Sequence, residues 1–119
     1  MKEYRLGEIE ARFADLIWTN EPVTSAELVK LAERELQWKK STTYTVLRRL
    51  IEKGFFQNQN SIVTSLLTRE ELAVAQSEQL IDESFAGSLP LFLTAFANRK
   101  KLTAKDIEEI QKLIDENRG

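Results

Sequence analysis

A mainly α fold with a small β-hairpin is predicted for this chain by three observations. Apolar residues recur at helical spacing through most segments, one turn-rich stretch interrupts them near the middle, and a single short helix gathers positive charge that the rest of the chain lacks. With 119 residues, 42% of them hydrophobic and 30% charged, the chain suffices for one ordinary domain, or for a small domain with a helical appendage. It is too apolar to be disordered throughout.

The first helix is read from "LGEIEARFADLIW", where Ile9, Phe13, Leu16 and Ile17 fall on one face. "TNEPV" interrupts it, because Pro22 lacks an amide proton and disfavours helix in the residue before it. A second helix starts in "TSAELVKLAEREL": Thr24 stands three residues before Glu27, as in a capping box, and Leu28, Leu31, Ala32 and Leu36 form its stripe. The third lies in "WKKSTTYTVLRRLIEKGFF". Ser41 is its expected N-cap, Leu47, Leu50 and Ile51 its inward stripe with Val46 at the edge, and Gly54 its left-handed end. That phase turns Ser41, Thr45, Arg48 and Glu52 outward, with Thr42 and Arg49 beside them and Tyr44 on the flank.

Two strand-forming stretches, Phe55 to Gln57 and Ile62 to Leu66, then flank a turn-rich Asn-Gln-Asn-Ser. Three helices followed by a hairpin is the order of a winged helix-turn-helix domain, assigned to residues 1–67. Residues 68–119 carry only helical signals. "REELAVAQSEQLIDESFAG" reads as a helix ending near Gly87, "LPLFLTAF" is apolar almost all round, and "LTAKDIEEIQKLIDENRG" opens with Thr103 and Asp106 as a cap before the stripe Ile107, Ile110, Leu113 and Ile114.

Composition narrows the chemistry. The chain has neither cysteine nor histidine, which removes disulfides, the usual zinc sites and the Cys-His and Ser-His-Asp nucleophile pairs. No glycine-rich phosphate loop and no carboxylate pair in a catalytic setting stands in the sequence. A non-enzyme without metal or cofactor is expected. No apolar run approaches the roughly 18 to 20 residues that cross a bilayer, and "MKEYRLGEIE" lacks the apolar core of a signal peptide, so a cytoplasmic protein is expected. Trp18 and Trp38 are assigned to core or hinge packing.

Charge then singles out one element. Residues 1–67 hold ten Lys or Arg against nine Asp or Glu, and residues 68–119 hold seven against ten, so neither half attracts polyanions in general. Attraction must be local. Lys39, Lys40, Arg48, Arg49 and Lys53 stand against Glu52 alone in the third helix. A helix fits the major groove of DNA, small hydroxyl side chains permit close approach to base edges, arginine pairs with guanine, and flanking cations neutralise phosphates. Ser41, Thr42, Tyr44, Thr45 and Arg48 are therefore assigned to the groove, and Lys39, Lys40, Arg49 and Lys53 to the backbone of double-stranded DNA. A solvated helix face with incidental charge is the plainer alternative for the helix alone. For the whole chain the alternative is a winged-helix protein-interaction module that does not bind DNA specifically.

The C-terminal region has too little core of its own to cover "LPLFLTAF". A helical dimerisation domain is expected, with Leu80, Phe85, Leu89, Leu91, Phe92, Leu93, Phe96, Ile107, Ile110, Leu113 and Ile114 at a homodimer interface. Two-fold symmetry would repeat the reading helix about one turn of DNA away and call for a palindromic operator.

The segments "LGEIEARFADLIW", "PVTSAEL", "WKKSTTYTVLRRLIEKG", "FAGSL" and "LTAKDIEEIQKLI" together resemble the penicillinase-repressor (BlaI/MecI/CopY) family of winged-helix transcriptional regulators over nearly the whole chain. The spacing from Trp38 through Thr42, Thr45, Arg49, Leu50 and Lys53 to Gly54 is that of the family. The resemblance implies a DNA-binding N-terminal domain, a helical dimerisation domain, repression by operator occupancy and, in several members, a sensor protease whose signal leads to repressor cleavage. Three departures qualify it. Without cysteine the chain lacks the metal motif of the copper-responsive branch; "QNQNS" is uncharged where family wings commonly carry Arg or Lys, which implies a shallower salt dependence. The place matching the Asn-Phe cleavage pair of β-lactam-responsive repressors is Ala95-Phe96.

Overall fold

The computed structural model of the protein describes residues 2–119. Its elements run α1 (Glu8–Asn20), β1 (Val23–Thr24), α2 (Ser25–Leu36), α3 (Lys40–Glu52), β2 (Phe56–Gln59), β3 (Ile62–Ser65), α4 (Arg69–Ser84), α5 (Leu89–Arg99) and α6 (Ala104–Asn117). The order and pairing of the elements through β3 are those of a winged helix, and helices alone follow. By packing, the chain separates into one unit ending at Gln79 and another spanning Leu80–Gly119.

The first unit is built around a single apolar cluster. Phe13, Ala14 and Ile17 of α1, Leu28 and Ala32 of α2, Val46, Leu47 and Leu50 of α3, and Val23, Phe55, Phe56 and Val63 of the sheet region are all buried in it. Two aromatic pairs tie its edges: Phe13 meets the Trp38 ring at 5.1 Å between centroids, and Trp18 meets Phe56 at 5.3 Å. Both tryptophans thus serve packing. Trp18 also donates its indole N–H to the Leu67 carbonyl at 2.9 Å, which satisfies its polar atom at the core margin.

Local chemistry sets the joints. Thr24 caps α2 by accepting the Glu27 amide at 3.1 Å. Between α2 and α3 the chain turns in three residues, with Gln37 left-handed at φ 57° and the Trp38 amide donating to the Ala32 carbonyl. The sequence offered no glycine to mark this turn. Nor did it reveal β1, a two-residue strand that pairs Val23 with Val63 and Thr24 with Ile62 and makes the hairpin a three-stranded sheet of order β1-β3-β2. The strand bounds also move: β2 starts at Phe56 and β3 ends at Ser65.

Two further expectations shift. Ile9 is 53% exposed; the buried stripe of α1 begins one turn later and is completed by Ala14. The boundary drawn after residue 67 differs from the division by packing, because the first half of α4 adheres to the first unit. Leu72 is buried there, Arg69 bonds Asp15 and Thr19 of α1 and lies 5.5 Å from the Trp18 ring, and Gln76 donates to the Tyr4 carbonyl at 2.9 Å. Helical periodicity marks α4 as one element and cannot tell which of its turns packs on which neighbour.

In the second unit α4 ends at Ser84, and the Gly87 amide donates to the Ile81 carbonyl with Gly87 at φ 75°. Ser88 caps α5 through the Leu91 amide, and Thr103 and Asp106 exchange both bonds of a capping box at α6. Phe92 sits between Phe85 and Phe96 at 5.3 and 6.0 Å. No residue of α5 or α6 is fully buried. The α6 stripe expected to be covered is therefore open in the single chain, with Ile107, Leu113 and Ile114 exposed and Ile110 half-buried.

Phe13→Ala is expected to cost about 3–5 kcal/mol in a denaturant titration, because it removes a fully buried ring and leaves Trp38 unsupported. Ile9→Ala, on the same predicted face, should change stability by no more than about 0.5 kcal/mol.

Candidate nucleic-acid interface

Helix α3 is held from one side. Thr43, Val46, Leu47 and Leu50 face the core, and the buried Thr43 hydroxyl is satisfied by the Lys39 carbonyl at 3.3 Å. On the other side Lys39, Lys40, Ser41, Thr42, Thr45, Arg48 and Arg49 are exposed, while Tyr44 is half-buried against the core cluster. Among the described residues none of these four cations is drawn into an ion pair, whereas Lys53, discussed below, is. The Thr45 hydroxyl donates to the Ser41 carbonyl at 2.9 Å within the helix, so it has an internal partner until a better acceptor is offered.

The helix begins earlier than the sequence suggested. Lys39, not Ser41, is the N-cap: its backbone is extended and its carbonyl accepts the Thr43 amide, but its side chain makes no capping bond. The first turn of α3 has no acidic residue. Cations at a helix N-terminus oppose the macrodipole by roughly 0.3–1 kcal/mol each, so Lys39 and Lys40 do not stand there for the helix's benefit. They add to the positive end of the dipole and make that end the most cationic place on the element.

Lys53 is placed differently from its companions. Its ammonium lies 3.4 Å from both Glu10 carboxylate oxygens and 3.3 Å from the Arg5 carbonyl, with its side chain only 28% exposed. The structure thus separates Lys53 from the outward row. Gly54, next in the chain, adopts φ 83° and ends the helix, its amide donating to Ile51 and its carbonyl accepting the Lys2 ammonium at 3.5 Å.

The hairpin supplies a second, neutral surface. Asn58, Gln59, Asn60 and Ser61 are exposed, and the turn is a two-residue one, with Asn60 and Ser61 both at positive φ and Gln59 paired with Ile62. Ser61 gives its carbonyl to the Ser25 amide at 2.9 Å. At the far end of β3, Glu21 accepts both the amide and the hydroxyl of Ser65 at 2.8 and 2.9 Å. Sequence reasoning had no signal for this bond.

No group of three or more His, Cys, Asp or Glu among the described residues is placed to hold a metal ion. Glu3 has its carboxyl pulled down to about 2, chiefly by hydrogen bonds from the Arg5 side chain and backbone, the opposite of what a proton donor needs. Among the described residues no single helix is long and apolar enough to cross a membrane.

The model of the penicillinase repressor family matches residues 6–116 of this chain. The chain belongs to the penicillinase repressor family. Its curated relatives include the methicillin resistance regulatory protein MecI of Staphylococcus aureus strain Mu50, 22% identical over an aligned length of 118 that covers 96% of each chain. The penicillinase repressor of Bacillus licheniformis is 20% identical over 97% of this chain and 93% of its own, and that of Staphylococcus aureus 18% identical over 97% and 94%. Members of the penicillinase repressor family are transcriptional repressors, so this chain falls among non-enzymes. Within the region matched by the family, the segment Trp38 to Gly54 presents the exposed cationic face.

Gly54→Ala is expected to lower stability by about 1–3 kcal/mol, measured by thermal or denaturant unfolding. A Cβ there would be held at positive φ and would meet the Lys2 ammonium at 3.0 Å.

Proposed function

We propose that this protein is a bacterial transcriptional repressor that binds a palindromic operator as a homodimer through the outward face of α3. The observation that carries the reading is the one-sided packing of that helix. Ser41, Thr42, Thr45 and Arg48 lie exposed between Lys39 and Lys40 at one end and Arg49 at the other, on a chain of net charge −2. Small hydroxyl groups at the centre suit close approach to base edges, and the cations suit phosphates on either side. The family and the names of its members, two of them penicillinase repressors, support the same reading. A cytoplasmic location follows from it.

Dimerisation is supported by what the second unit leaves open. Leu80, Leu89, Leu91, Phe96, Ile107, Leu113 and Ile114 are each 44% or more exposed, and Phe85, Phe92, Leu93 and Ile110 are half-buried. A short helical unit with no buried core residue gains most by burying this surface in a second copy. Release of the repressor by a sensor protease is a further part of the proposal. Ala95 and Phe96 are both exposed, yet they lie within α5, so cutting between them requires that helix to open locally first.

The deciding experiment is selection from random duplex DNA followed by a binding titration at fixed salt. A repressor of this design should bind the selected duplex about a thousandfold or more tighter than random DNA. Equal, salt-sensitive binding to all duplexes would instead favour a protein-interaction module. Arg48→Ala should cost about 1–3 kcal/mol and relax the preference at one position, whereas a uniform loss on every sequence would make it a phosphate contact. Leu113→Asp should give a folded monomer in sedimentation, with much weaker operator binding; an intact dimer would place the interface elsewhere.

A further inference from the structure

Residues 2–6, ahead of α1, are built into the first unit on both of their sides. Toward α4, the Tyr4 amide donates to the Gln79 side chain at 3.1 Å and the Tyr4 carbonyl accepts from Gln76 at 2.9 Å. Toward α3, the Arg5 carbonyl accepts from Lys53, and Lys2 reaches the Gly54 carbonyl. Between these, the Tyr4 ring stacks on Phe55 at 6.0 Å with 13° between planes, and the Lys2 ammonium lies 5.5 Å from both rings. Arg5 is in turn held by Glu3 through backbone and side-chain bonds. Glu10 completes the arrangement by accepting the Gly7 amide at the start of α1 while facing Lys53.

We infer that residues 2–6 are a strap fixing the C-terminal end of α3 to α4, and that Lys53 is a positioning residue for DNA recognition, not a phosphate contact. The inference rests on the DNA-binding reading of α3. Lys53 has three oxygens within 3.4 Å inside the unit, and leaving them for a phosphate would take the facing cation away from Glu10, whose side chain is only 18% exposed. One end of α3 is thereby set by its caged lysine and by Gly54, while the other end, at Lys39 and Lys40, stays open. Because the strap bonds Gln76 and Gln79 of α4 through Tyr4, a shift of that part of α4 within the first unit would be passed to the end of the reading helix.

The test uses full-length variants and the duplex that the wild-type chain itself selects from random DNA. Glu10→Gln keeps an acceptor for the Gly7 amide and removes the charge facing Lys53; Gln76→Ala removes the α4 bond. Each should lower the ratio of selected to random binding by between about 2-fold and 30-fold, with the slope of log affinity against log salt unchanged. Lys53→Gln should do the same, and Lys53→Arg should restore most of the loss. In the free chain, Glu10→Gln should speed hydrogen exchange at the Lys53, Gly54 and Phe55 amides, which bond back into α3, at matched global stability. A salt slope lowered by about 0.9 in Lys53→Gln would mean a released counterion and a phosphate contact, overturning the assignment. Unchanged exchange and unchanged binding ratio in Glu10→Gln and Gln76→Ala would overturn the strap. If no duplex is selected, the DNA reading fails and takes the role of Lys53 in recognition with it, while the exchange measurement still decides whether the strap holds α3.

Discussion

Burial of one face of α3, and of one face only, is the constraint on which the first unit depends. Thr43, Val46, Leu47 and Leu50 must be covered for the helix to persist, since a helix of 13 residues is marginal alone in water. α1 and α2 provide the cover with Phe13, Ile17, Leu28 and Ala32. The sheet closes the remaining side through Phe55, Phe56 and Val63. A second layer over the opposite face would bury Arg48 and Arg49 at prohibitive cost, so the composition of α3 keeps that face open and its orientation fixed at once.

The second unit shows the reverse balance. Its helices are well started, with Ser88 and Thr103 as caps and a capping box at α6, but its apolar side chains meet one another only partly. Local chemistry defines where α5 and α6 begin. Their shared burial is left incomplete within one chain, as the exposed Ile107 and Leu113 show.

What was legible in the sequence followed from periodicity and caps. The phase of α3 was readable because four apolar positions fixed it, and Thr24 and Thr103 announced the starts of α2 and α6 as found. Features that depend on distant partners were not readable. β1 is two residues long and exists because β3 offers it an edge; Ile9 fits the helical stripe but stays 53% exposed. The start of α3 was placed two residues late because serine is the better capping residue, whereas the Thr43 hydroxyl and amide secure the helix at Lys39 instead. For Lys53, charge alone suggested a place beside DNA and gave no sign of its ion-pair partner Glu10, which lies 43 residues away.

The bond from the Ser25 amide to the Ser61 carbonyl has a mechanical meaning. It hooks the tip of the hairpin to the first residue of α2, one step beyond the last pair of β1 with β3, so tip and helix form one stiff piece. An arm mounted this way does not swing to follow its target. If both meet a duplex, curvature has to come from the nucleic acid, whose bending costs on the order of a few kcal/mol and varies with base step, and flexible sequences would be favoured at positions no side chain touches.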